Sequence, residues 1–83
     1  MFTPIERAYF TLQEYKYHRV KNIRKMGVLY DTYIVYLDND WYYYLLIDSN
    51  NDKVFVTDTY DNSENINETA ICHDFNLLVY EVE

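Results

Sequence analysis

The sequence predicts an α+β domain in which an N-terminal helix packs on an antiparallel sheet of three to five strands, connected as a meander. Two observations carry that expectation. A helix-start signal at Thr3-Pro4-Ile5-Glu6 is followed by apolar residues at helical spacing. From Val28 to Thr59, aromatic and β-branched runs alternate with short polar segments of hairpin length. The 83 residues include one glycine and one proline, too few for a low-complexity chain, so one ordered domain spanning 1–83 is expected. A domain this short buries a modest core. Eleven tyrosines, four phenylalanines and one tryptophan compensate, because each aromatic ring buries a large area.

In chain order, Thr3 is placed to act as N-cap, Pro4 suits the first helical position, and Glu6 stands where a capping box needs a carboxylate. Ile5, Ala8, Tyr9 and Leu12 then mark one face. The end of the helix has two readings. The apolar period extends through Tyr15, Val20, Ile23 and Met26 to Gly27, but that puts Lys16 and Arg19 inside the apolar stripe. The favoured reading ends the helix near Gln13 and makes Tyr17–Arg24 an edge strand, whose basic side chains discourage edge-to-edge pairing. Val28–Leu37, Trp41–Ile47 and Lys53–Thr59 are the meander strands, with turns at 38–40 and 48–52. Tyr60–Asn67 is a polar connector opening a short helix through Ala70, and Leu77–Val82 is a last strand.

Strand alternation places Trp41, Tyr43, Leu45 and Ile47 on one face and Tyr42, Tyr44 and Leu46 on the other; Tyr30, Ile34 and Tyr36 likewise oppose Leu29, Tyr33, Val35 and Leu37. Both faces are apolar or aromatic, and one helix covers only one of them. Either the C-terminal part closes the second face, or Tyr33, Tyr42 and Tyr44 remain as an aromatic surface for a homodimer or a protein partner.

The charges are sorted along the chain. Residues 1–25 hold six basic and two acidic residues, whereas residues 26–83 hold Lys53 against twelve acids. Concentrated negative charge opposes folding by self-repulsion. The meander gathers Asp38, Asp40, Asp58, Asp61 and Glu64 at one end of the sheet and Asp31, Asp48 and Asp52 at the other. Seven residues of strand separate the ends by roughly 23 Å, and carboxylates two strands apart lie about 10 Å from each other. Such a rim matches the scale of a phosphate backbone. Channels that bind nucleic acid through backbone charge can therefore be occupied by it. Acids in turns also serve solubility and turn chemistry alone.

Other chemistry fits poorly. Asp48-x-Asn50-x-Asp52 begins like a calcium loop, but Lys53 replaces the required glycine and Thr59 the bidentate glutamate, so no metal is expected. Cys72-His73-Asp74 has the residue types of a nucleophilic site, but neighbours along a chain do not converge. No enzyme activity and no cofactor are expected. The basic, tyrosine-containing segment Lys16–Lys25 could stack on nucleic acid, but the net charge of −7 opposes this. Pairing of these bases with the acidic meander is favoured, with no direct nucleic-acid contact. A lone cysteine, no export signal and no apolar run of membrane length lead to an expected cytoplasmic location and no membrane association.

In size, acidity and helix-plus-meander layout the chain resembles, in type and without a shared motif, the small anti-defence proteins of phages, including anti-CRISPR proteins and inhibitors of uracil-DNA glycosylase. That resemblance implies a non-enzymatic acidic inhibitor that mimics nucleic acid, with a basic nucleic-acid-binding protein or enzyme as partner. The alternative is a small structural or regulatory module that homodimerises or docks through its aromatic sheet face.

Overall fold

The computed structural model of the chain describes residues 1–82. Helix α1 spans Pro4–Glu14 and closes the expected capping box: the Thr3 hydroxyl accepts from the Glu6 N–H, and the Glu6 carboxylate accepts from the Thr3 N–H. An N-cap of this kind is worth about 1 kcal/mol. Tyr15 has extended backbone and ends the helix, so the shorter of the two sequence readings holds.

Strands β1 (Lys16–Arg19) and β2 (Ile23–Lys25) follow, then β3 (Val28–Tyr36), β4 (Tyr42–Asp48), β5 (Lys53–Thr57), helices α2 (Glu68–His73) and α3 (Phe75–Leu78), and β6 (Val79–Val82). All pairings are antiparallel, in the order β1-β3-β4-β5-β6, with β2 also on β3. The predicted edge strand is split in two. Arg19 faces Tyr33 and Ile23 faces Tyr30, so three edge residues oppose two on β3. This is a bulge, anchored where the Val20 N–H donates to the Thr32 carbonyl (3.0 Å). It brings the sheet to six strands. Met26 and Gly27, both at positive φ, make the two-residue turn into β3.

The sheet is covered on both faces. On one side Ala8 and Leu12 of α1 meet Val35, Leu45, Ile47 and Val54. On the other, Ile71 of α2 and Phe75 of α3 meet Ile23, Tyr30, Tyr42, Tyr44 and Leu46. Burying an aliphatic side chain such as Leu46 or Ile71, each fully enclosed, contributes about 1.5–3 kcal/mol. Two tyrosine hydroxyls tie the connector between β5 and α2 onto the second face. Tyr42 donates to the Glu64 carbonyl (2.7 Å) and accepts from the Ile66 N–H (3.2 Å), and Tyr44 donates to the Ile66 carbonyl (2.8 Å). The C-terminal part therefore closes the second face. Tyr42 and Tyr44 are buried and form no open aromatic surface, which corrects that expectation. The reason is that each ring is apolar enough for the core while its hydroxyl satisfies connector backbone. Tyr33 lies half-buried on the α1 side, its ring edge-on to Tyr17 at 5.7 Å.

Candidate functional site

Local geometry assembles five carboxylates at one end of the sheet. In the β3–β4 turn the Leu37 N–H donates to the Trp41 carbonyl (2.8 Å), the Asp40 N–H to the Leu37 carbonyl (3.2 Å), and the Trp41 N–H to Asn39 Oδ1 (3.1 Å). Asp38 and Asp40 are exposed at its tip. Asp40 has φ +65°, a left-handed position that glycine favours but aspartate tolerates.

Asp58 reaches the same end through a second bulge. Leu45 pairs with Val56, yet Tyr42 pairs with Tyr60, so residues 57–59 oppose only Tyr43 and Tyr44. The buried Thr57 hydroxyl replaces the missing ladder partner by accepting from the Tyr44 N–H (2.9 Å). Asp58 is exposed, and its carboxylate accepts from the Tyr80 hydroxyl (3.3 Å). The negative charge of Asp58 in turn raises the Tyr80 phenol. Beyond the Tyr42–Tyr60 bridge the connector carries Asp61 and Glu64 along this end. Asp61 accepts from the Ser63 hydroxyl (2.6 Å) and N–H (2.9 Å), which holds its carboxyl below the usual range. Glu64 is exposed. Among the described residues, no ion pair within 4.0 Å involves Asp38, Asp40, Asp58, Asp61 or Glu64.

The opposite end differs. Asp31 is paired with Arg19 at 2.7 Å. Asp48 is 3% exposed and accepts from the Asn51 side-chain amide (2.8 Å) and N–H (3.3 Å), holding the β4–β5 turn. It does not offer a carboxylate to a partner, contrary to expectation, because the turn folds back over it. Asp52, at φ +51°, is exposed in that turn. Within the basic segment, Arg19 pairs with Asp31, Lys21 with Glu68 (3.5 Å), and Lys25 lies 4.4 Å from the Phe75 ring centroid while donating to Asn76; outside it, Lys53 pairs with Glu81 (3.7 Å).

A groove of about 440 Å³ opens beside Asp38 and Asp40, between the end of α1, the start of β1 and the β3–β4 turn. Glu14, Tyr15, Lys16, His18, Tyr36 and Leu37 complete its lining. The His18 and Tyr36 rings meet edge-on at 5.9 Å. Burial first, then the neighbouring Tyr15 and Glu14, pushes the Tyr43 phenol up to about 12. Sequence reasoning did not find this groove, because it depends on the angle at which the chain leaves α1. Among the described residues no cluster of His, Cys, Asp and Glu is arranged to hold a metal ion, and no helix is long and apolar enough to cross a membrane. The fold is a small α+β domain, and Asp38, Asp40, Asp58, Asp61 and Glu64 have no ion pair within 4.0 Å among the described residues. No protein-family model, curated protein or solved structure matches the chain.

Proposed function

We propose that this protein is a non-enzymatic inhibitor that presents its acidic end as a surrogate of nucleic acid and blocks a nucleic-acid-processing enzyme in the cytoplasm of a host cell, as phage anti-defence proteins do. One observation supports the reading above the others. Asp38, Asp40, Asp58, Asp61 and Glu64 share an end without ion-pair partners among the described residues, while Arg19, Lys21 and Lys53 neutralise acids elsewhere. Exposed carboxylates left unpaired at one end give that end a negative potential suited to a basic channel. Docking through Tyr42 and Tyr44 would require residues that the C-terminal segment covers.

The test is capture of partners from host lysate on the immobilised protein, washed at low and then high salt. A nucleic-acid enzyme released by salt is expected, because screening shortens to about 3 Å at 1 M. Charge reversal by Asp38→Lys with Asp58→Lys should abolish that capture and leave the folding transition in place. Undiminished binding by the reversed variant would overturn the proposal, as would a sole partner that resists salt.

A further inference from the structure

The sheet has two open edges, and they differ in charge. Among the described residues no strand lies beyond β1 or beyond β6. The Val20 N–H donates inward to the Thr32 carbonyl, continuing the register of β1 on β3. Alternation therefore turns the N–H and C=O groups of Tyr17 and Arg19 outward, away from β3. Such an edge is a template for another strand unless its side chains oppose the approach. The β1 edge carries Lys16 and Arg19, and all four of its side chains are exposed. On β6 the charged residue is Glu81, beside a half-exposed Tyr80. Two β1 edges would bring like charges together, as would two β6 edges; one of each brings opposite charges together.

The faces match as well. On the α1 side of the sheet, Tyr17 and Arg19 of β1 stand opposite Val35 and Tyr33, and Tyr80 and Val82 of β6 opposite Val56 and Val54. On the other side, Lys16 and His18 stand opposite Tyr36 and Ile34, and Glu81 opposite Phe55. Every neighbouring pair is antiparallel from β1 through β3, β4 and β5 to β6, so β1 and β6 run in the same direction. A second copy added without turning over lays its β6 parallel to β1. Tyr17 and Arg19 then meet the second copy's Tyr80, and Lys16 meets its Glu81. An aromatic cross-strand pair, a cation beside a ring and an opposite-charge pair are each favourable.

We propose that copies of this chain associate head to tail, the β1 edge of one receiving the β6 edge of the next in a continuous sheet. The contact is heterologous, so it does not close at two chains and leaves one edge of each kind free at the ends. It uses the sides of the sheet and does not depend on the acidic end being a contact surface.

The test is sedimentation equilibrium of the full chain at rising concentration. The average mass should climb past two chains without a plateau. Two edge variants then fix the geometry. Tyr17→Pro removes an outward N–H, a change that an edge strand tolerates. Tyr80→Lys with Glu81→Lys makes the β6 edge repel β1. Each variant alone should remain at one chain. Their equimolar mixture should stop at two, because one intact β1 edge and one intact β6 edge remain between them. Circular dichroism checks the fold, and Lys16→Glu with Arg19→Glu replaces Tyr17→Pro if the proline disturbs it. A wild-type mass that stays at one chain up to about 1 mM, the weak end of specific affinities, would overturn the proposal. So would a plateau at two chains that one edge variant retains, which would mean pairing of like edges. Failure of the two variants to pair when mixed would overturn it too.

Discussion

The two ends of the sheet carry the same residue type and treat it in opposite ways. At the end formed by Asp31, Asp48 and Asp52, one carboxylate is ion-paired and another is folded into a turn. At the end formed by Asp38, Asp40, Asp58, Asp61 and Glu64, none has a cationic partner among the described residues. The difference lies in where the basic edge runs. Strand β1 follows the outer edge of β3, and the bulge at 20–22 leaves Arg19 beside Asp31, at the first end. Among the described residues no ion pair within 4.0 Å forms at the second end, where Lys16 lines the groove beside Asp38 and Asp40. A negative charge at the first end is therefore engaged by the basic edge, as at Asp31, or by its own turn, as at Asp48, while Asp52 stays exposed.

The largest expected contrast is between Asp48→Ala and Asp38→Ala. Removing the buried Asp48 carboxylate deletes both hydrogen bonds from Asn51 and loosens the β4–β5 turn, a loss of about 2 kcal/mol. Asp38 is exposed and has no comparable role, so its change stays within about 0.5 kcal/mol. Urea denaturation reads both, and equal losses would erase the distinction between the ends. Next in size is Tyr42→Phe, expected to cost about 1–2 kcal/mol because the hydroxyl serves both the Glu64 carbonyl and the Ile66 N–H. It should also weaken partner capture, since the same hydroxyl holds the connector bearing Asp61 and Glu64 at the acidic end. Loss of stability with undiminished capture would show that the connector is not part of the contact.

The core tyrosines also set a pH limit that the acids do not. Burial pushes Tyr44 up to about 12, with Tyr42 and Glu68 adding to it, and Tyr43 reaches a similar value. An unfolded tyrosine titrates near 10. The folded state therefore binds these protons more tightly, and the stability they contribute is complete below about pH 10 and lost as pH rises toward 12. Denaturation midpoints measured across pH 9–12 should fall, and Tyr44→Phe should flatten the fall. An unchanged slope in that variant would remove Tyr44 as its source.

Signals confined to a few neighbouring residues were legible in the sequence. Thr3 and Glu6 close a ring three residues apart, and alternation from Tyr42 to Ile47 assigns each side chain to its observed face. The turn that carries Asp38 and Asp40 between β3 and β4 followed from hairpin spacing. What escaped needed contacts between distant segments. Closure over Tyr42 and Tyr44 depends on a connector more than twenty residues later. The pairing of Arg19 with Asp31 depends on a bulge, and the groove on how α1 turns into β1. Burial of Asp48 was hidden for another reason: an aspartate before Ser-Asn-Asn reads as an ordinary exposed turn residue.

Asp40→Gly sharpens the comparison at smaller scale. At φ +65° a side chain costs about 1 kcal/mol relative to glycine, so the variant should be more stable by about that amount while binding the partner less well. A gain in stability with unchanged binding would make Asp40 a turn residue only. Smallest is Asp31→Asn. Its pair with Arg19 is short, but both side chains are well exposed, at 40% and 55%. Exposed pairs contribute about 0–1 kcal/mol and less as salt rises. The expected loss is about 0.5 kcal/mol at low salt, vanishing at high salt, with partner capture unchanged. The informative part is the capture. If neutralising Asp31 weakened it as much as neutralising Asp38 does, total charge rather than the unpaired end would govern binding, and the asymmetry between the two ends would carry no function.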